Sequence, residues 1–93
     1  MSARLSGLTI GALALTPAFD PDTTEYTATT TNATNTITAT PEDEGAAVTL
    51  QNGETPVTNG TAATWTEGPN TLTVTVKNGT AQKVYTVTVT KST

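Results

Sequence analysis

The last quarter of the chain alternates apolar residues with threonine and other polar residues, and this pattern constrains the fold more than any other feature. The apolar positions lie two residues apart in two runs: Leu72, Val74 and Val76, then Tyr85, Val87 and Val89. Alternate side chains of an extended strand point to opposite faces, so each run has one apolar and one threonine face. Because Asn78-Gly79 separates the runs, the pattern predicts a β-hairpin over 72–90.

Threonine fills more than a quarter of the chain, and no stretch repeats apolar residues at helical spacing. Threonine is β-branched and half-polar, which suits the solvated face of a sheet and disfavours helix. Turn residues recur about every ten positions, as is typical of an all-β sandwich. We therefore predict one all-β domain over residues 1–93, a β-sandwich of two antiparallel sheets with seven to eight short strands. Phe19 is expected to hold the proline-containing loop between the first two strands against the core.

Three groups of residues resemble a known family. They are Leu5-x-x-Leu8-x-Ile10, Leu15-x-Pro17-x-Phe19-x-Pro21-x-x-x-x-Tyr26 and Tyr85-x-Val87-x-Val89. Their order and spacing resemble the bacterial cadherin-like β-sandwich domain over nearly the whole chain. The resemblance implies an immunoglobulin-like fold. It also implies a setting, because such modules occur, often in tandem, in large surface and secreted bacterial proteins and in some phage structural proteins.

The charged residues and the reactive side chains exclude several function classes. The net charge is −4 and the four basic residues are scattered, so a phosphate backbone would be repelled and we expect no nucleic-acid partner. The chain has no histidine and no cysteine, and its serines lie near the termini without a general base, so we expect no enzyme and no cofactor. No apolar run approaches membrane-spanning length and the first residues lack a signal peptide, so no membrane insertion is expected.

A short acidic loop offers one candidate metal site. Asp20, Asp22 and Glu25 lie close together in the sequence, and Ca²⁺ prefers carboxylate and carbonyl oxygens. The competing interpretation is ordinary turn chemistry, in which aspartate side chains beside proline bond to nearby backbone N–H groups. We favour the turn interpretation and keep calcium binding as the alternative.

The turns between the later strands offer one candidate binding surface. Trp65, the only tryptophan, is flanked by threonines in a short segment expected at a sheet edge, where its ring could be partly exposed. Asn52 and Asn59 begin two Asn-Gly turns in the same part of the chain. Loops on a rigid sandwich often carry binding residues, so these three residues form the candidate contact for a cell-surface glycan.

The residues together favour a non-catalytic structural or adhesive immunoglobulin-like module. The resemblance implies an extracellular setting, on a bacterial cell surface or a phage particle, with neighbouring domains or subunits as the expected partners. The alternative is a carbohydrate- or calcium-dependent binding module, which would need Trp65 or the acidic loop to be open and pre-arranged.

Overall fold

Turn residues divide the chain into eight β-strands in the computed structural model, which describes residues 3–92. The strands are β1 (Leu5–Ile10), β2 (Glu25–Thr30), β3 (Thr34–Pro41), β4 (Ala47–Asn52), β5 (Thr55–Val57), β6 (Ala62–Thr64), β7 (Gly68–Asn78) and β8 (Ala81–Lys91). Within these residues there is no helix, and hence none long and apolar enough to cross a membrane.

The eight strands form two sheets, which confirms the all-β sandwich. The smaller sheet has the order β1-β3-β6 and the larger has the order β2-β8-β7-β4-β5. The strand pairs are antiparallel except one: β2 runs parallel to β8 from Glu25↔Thr86 to Thr30↔Lys91. The prediction of antiparallel sheets is wrong for this pair. Residues 11–24 carry the chain from one sheet to the other, so no hairpin sets the direction of β2.

The predicted hairpin is confirmed and is longer than 72–90. β7 and β8 pair without interruption from Gly68↔Lys91 to Asn78↔Ala81. Gly79 lies in the turn with φ of 62°, a left-handed conformation that glycine adopts without steric cost. This hairpin occupies the middle of the larger sheet, where β2 joins one side and β4 the other.

The core lies between the sheets and consists of the inward residues of both. Its most deeply buried side chains belong to Leu5, Ile10, Ile37, Leu72, Val74, Val76, Tyr85, Val87 and Val89. Phe19 is partly buried against this core, and its ring stacks on Tyr26 with 5.9 Å between centroids. The prediction that Phe19 anchors the loop before β2 is confirmed.

Strand direction places the start of β1 and the finish of β8 at opposite ends of an elongated body of 42 × 24 × 18 Å. β1 starts beside the end of β3. Asn78, the last residue of β7, donates to Asp43 in the turn between β3 and β4 at 2.9 Å. We call this the entry end, formed by Arg4 and the turns at 41–46 and 78–81. β8 finishes at the exit end, formed by Lys91, the loop at 31–33 and the start of β7, where Ser92 N–H donates to Thr30 O at 2.9 Å.

Candidate functional site

Trp65 is buried, with 4% of its surface exposed, and lies just after β6. Its backbone N–H donates to Ala33 O at 2.9 Å, and its indole Nε1–H donates to Asn35 Oδ1 at 2.8 Å. The interpretation of Trp65 as an exposed anchor is therefore wrong. The large ring gains more from burial between the sheets than from exposure, and Asn35 removes the cost of burying the indole N–H.

The Asn59 side chain bonds to the domain's own backbone. Its Oδ1 accepts the N–H of Ala39 at 2.9 Å, and its Nδ2 donates to the carbonyl of the same residue at 2.7 Å. Gly60 N–H donates to Ile37 O at 2.8 Å, two residues earlier on the same strand. Asn59 thus occupies the place of a strand residue beside β3, and it holds the turn between β5 and β6 against the smaller sheet.

Asn52 also ties two segments of the domain together. Its Nδ2 donates to Thr64 O at 2.7 Å, which connects the end of β4 in the larger sheet to the end of β6 in the smaller sheet. The amide thereby satisfies a carbonyl at a strand end, where the sheet ladder stops. The bond is exposed, and its partner is the backbone of the domain itself.

The three predicted binding residues do not form one site. Asn59 lines a shallow groove of about 590 Å³ on the outer face of the larger sheet, together with Gln51 and Thr73. Asn52 lines a separate groove of about 410 Å³ near the exit end. Trp65 is not among the lining residues of either groove.

Asn70 is a structural residue that the sequence interpretation missed. It is 8% exposed, and its Nδ2 donates to the carbonyls of Thr66, Gly68 and Val89 at 2.8–3.1 Å. Its Oδ1 accepts the backbone N–H of Thr66 at 3.0 Å. A signal existed in the sequence, because Asn70 continues the inward alternation of Leu72, Val74 and Val76 along β7. A polar residue there needs buried partners.

The acidic loop is arranged as a turn. Asp20 Oδ1 accepts the backbone N–H of Asp22 at 2.8 Å, and Asp22 Oδ1 pairs with Arg4 Nη1 at 2.8 Å. The hydrogen bond and the positive charge of Arg4 lower the pKa of Asp22 below its ordinary value. Glu25 is exposed at the start of β2. Over residues 3–92, no three potential metal ligands lie grouped together. The bond from Asp22 N–H to Asp20 Oδ1 is the kind of contact that the turn interpretation predicts.

Two tyrosine hydroxyls fasten the same loop to the core at the entry end. Tyr85 Oη donates to Pro21 O at 2.6 Å and accepts the N–H of Leu5 at 3.0 Å. Tyr26 Oη donates to the carbonyl of Asp20 at 2.6 Å and accepts its N–H at 2.9 Å. Burial raises the pKa of Tyr85, which keeps the hydroxyl in its donating form. We call these contacts the entry clasp; the sequence interpretation gave neither hydroxyl a partner.

Comparisons with known proteins give one family. No curated protein matches the chain. The model of the cadherin-like beta sandwich domain matches residues 5–92, a range that contains all eight strands. Domains of this family are typically non-catalytic and suggest a structural or adhesive role. Since the match spans nearly the whole sequence and the fold agrees with it, the chain belongs to the cadherin-like β-sandwich domain family.

Proposed function

We propose that this chain is a non-catalytic structural module that acts as a spacer in an exposed assembly. One observation carries the proposal: the chain enters the sandwich at one end of a 42 Å body and leaves it at the other. A module with this geometry adds its full length when it is joined in series. Its partners are the neighbouring domains or subunits that it holds apart.

The loop residues support a spacer over a receptor-binding module. Trp65 is buried, and Asn59 and Asn52 use their amides to join segments of the fold. Side chains that hold turns in place explain the turn sequences without an added ligand. The acidic loop is likewise occupied by its own backbone and by Arg4.

The proposed setting is extracellular, on a bacterial cell surface or a phage particle. The family resemblance supports this setting, since related modules occur in surface, secreted and virion proteins. The cysteine-free composition is compatible with it, because the fold uses no disulfide that a change of redox compartment could break. The proposal covers both the bacterial surface and the phage particle.

Small-angle scattering on one copy and on two copies joined end to end tests the spacer role. The maximum dimension should increase by about the 42 Å length of the body for the added copy. A matched control joins the same two copies through a long Gly/Ser linker, which should give a broader distance distribution. Side-by-side packing, with little increase in the maximum dimension, would contradict the spacer role.

The groove beside Asn59 favours one alternative, a carbohydrate-binding module. It lies on the outer face of the larger sheet, where its lining combines hydroxyls and amides with Pro56 and has no charged residue. Such a surface could accept a neutral glycan. Retention of the isolated domain on cell-wall glycans, lost in Gln51→Ala and Thr73→Ala, would support the alternative over the spacer. If that retention also depended on calcium, the proposed binding site would include the acidic loop.

A further inference from the structure

We propose that this domain bears mechanical load, and that β1 on β3 and then β2 on β8 act as two shear clamps when its ends are pulled apart. This inference rests on the proposed spacer role, because load reaches the domain through its two ends. It goes further by assigning the resistance to force to two named strand pairs. The parallel pairing of β2 with β8 is the observation that carries it.

The first two strands and the last strand run in the same direction. β1 starts at the entry end, β2 is parallel to β8, and β8 finishes at the exit end. A pull on the two chain ends therefore draws β1 and β2 toward the entry end and β8 toward the exit end. β1 would have to slide along β3, and β2 along β8, because the force is directed along the strand axis.

Sliding loads many hydrogen bonds of a ladder at the same time. The β2–β8 ladder extends from Thr86 N–H donating to Thr24 O at 2.7 Å to Ser92 N–H donating to Thr30 O at 2.9 Å. Between these two bonds, six residues of β2 have partners on β8 in continuous register. All of these bonds lie across the direction of the force, so they share it until they break together.

The same pull loads β1 before it reaches β2. β1 pairs with β3 over residues 5–10, and Leu5, Leu8 and Ile10 are buried in the core. At the start of β1, Tyr85 Oη on β8 accepts the N–H of Leu5. Release of the segment from Leu5 to Thr24, at about 3.3–3.6 Å per residue, adds about 70 Å of chain before β2 carries the load.

The β7–β8 hairpin offers an internal comparison in the opposite geometry. Pro69 and Thr90 are opposite each other near the exit end, where β7 begins and β8 finishes. Pulling these two strands apart from that end opens the ladder one pair at a time, as a zipper opens. The force then falls on a single pair of residues at each moment.

Optical tweezers distinguish the two geometries on one variant. The chain has no cysteine, so Pro69→Cys supplies a unique attachment point, used together with a handle at the C-terminal end. The same variant with handles at both chain ends is the matched control. End-to-end pulling should require a higher unfolding force at equal loading rate and should show an intermediate about 70 Å longer than the native state. Equal forces in the two geometries would overturn the proposal.

A pair of proline variants tests which ladder bears the load. Successive residues of a strand direct their N–H groups to opposite sides. The N–H of Thr27 donates to Thr16 O, on the side away from β8, and the N–H of Thr29 points to that same side. The N–H of Ala28 therefore faces β8. Ala28→Pro should lower the force of the second step, whereas Thr29→Pro should leave it nearly unchanged. Equal effects of the two would overturn the role of the β2–β8 ladder.

Two measurements keep these results interpretable. Fluorescence of the buried Trp65 reports whether each proline variant has folded, and the comparison of pulling geometries needs neither variant. Small-angle scattering of joined copies applies no force, so it tests the spacer role separately from the resistance to force. A domain that lengthens the joined pair but unfolds at the same force in both geometries is a spacer without a load-bearing clamp.

Discussion

The Tyr85 hydroxyl should contribute more to stability than any other single polar group of the entry end. Tyr85 is fully buried, and its hydroxyl joins two segments that lie 80 and 64 residues away in the sequence. Tyr85→Phe keeps the ring and removes only the oxygen. The N–H of Leu5 then loses its partner at a residue that is itself fully buried, where water cannot replace it.

The size of the effect follows from these two bonds. A hydrogen bond makes a net contribution of about 1 kcal/mol to stability, and a buried donor left without a partner costs about 1–3 kcal/mol. Tyr85→Phe should therefore lower the free energy of unfolding by about 2–4 kcal/mol. Tyr26→Phe is the matched control. Its hydroxyl bonds only to the backbone of Asp20, an exposed residue, so water can replace it and the loss should be about 0.5–1.5 kcal/mol.

Urea titration followed by the fluorescence of Trp65 measures both variants. Each kcal/mol lost at the melting temperature should also lower that temperature by about 4–8 °C in a domain of this size. The slope of the free energy against urea should be unchanged, because the fold and its exposed surface are the same. Equal losses in the two variants would refute the argument that burial of the Leu5 N–H decides the difference.

Three further predictions concern the core, calcium and pH. Val74→Ala should cost about 1–3 kcal/mol in a urea titration because Val74 is fully buried, while Thr71→Ala on the exposed face should cost far less; equal costs would mean the faces are misassigned. Millimolar calcium should leave the melting temperature unchanged, and a rise that Asp22→Ala abolishes would contradict the turn interpretation. The folded-state pKa of Asp22 is lowered from 3.8, so its stabilising contribution is complete above that pH and is lost as the pH falls further. Unfolding curves between pH 5 and 2 should therefore depend less on pH in Asp22→Asn, and a steeper dependence would contradict the ion pair with Arg4.

The hairpin could be predicted because its information is local. Alternation assigns Val74 and Val87 to the inner face, and Asn78-Gly79 supplies the turn, so adjacent residues specify the pairing. The sandwich class follows from the same local signals repeated along the chain. Phe19 was also predictable, since an aromatic residue between prolines has no solvated role in a loop that crosses the end of a sandwich.

The pairing of β2 and the burial of Trp65 could not be predicted because they depend on distant residues. The partner of β2 lies about 60 positions later in the chain, and the periodicity of a strand does not reveal its direction. The burial of Trp65 requires a partner for its indole N–H, and that partner is Asn35, which lies 30 positions earlier in the chain. The roles of Asn59 and Asn52 in the fold could not be predicted for the same reason, because their amides are identified as internal ties only when their backbone partners are known.

The four edge strands show how such a module avoids pairing sideways. β1 carries a register shift between Leu5 and Gly7, β5 and β6 have three residues each, and β5 contains Pro56, which has no N–H to donate. The free edge of β2 is partly covered, because Thr16 and Thr27 exchange two backbone bonds there. Short, bulged, proline-bearing or covered edges are the usual protection against addition of another strand. A spacer in series requires this protection: contact with a neighbour must occur through the ends, since an open edge would join copies side by side.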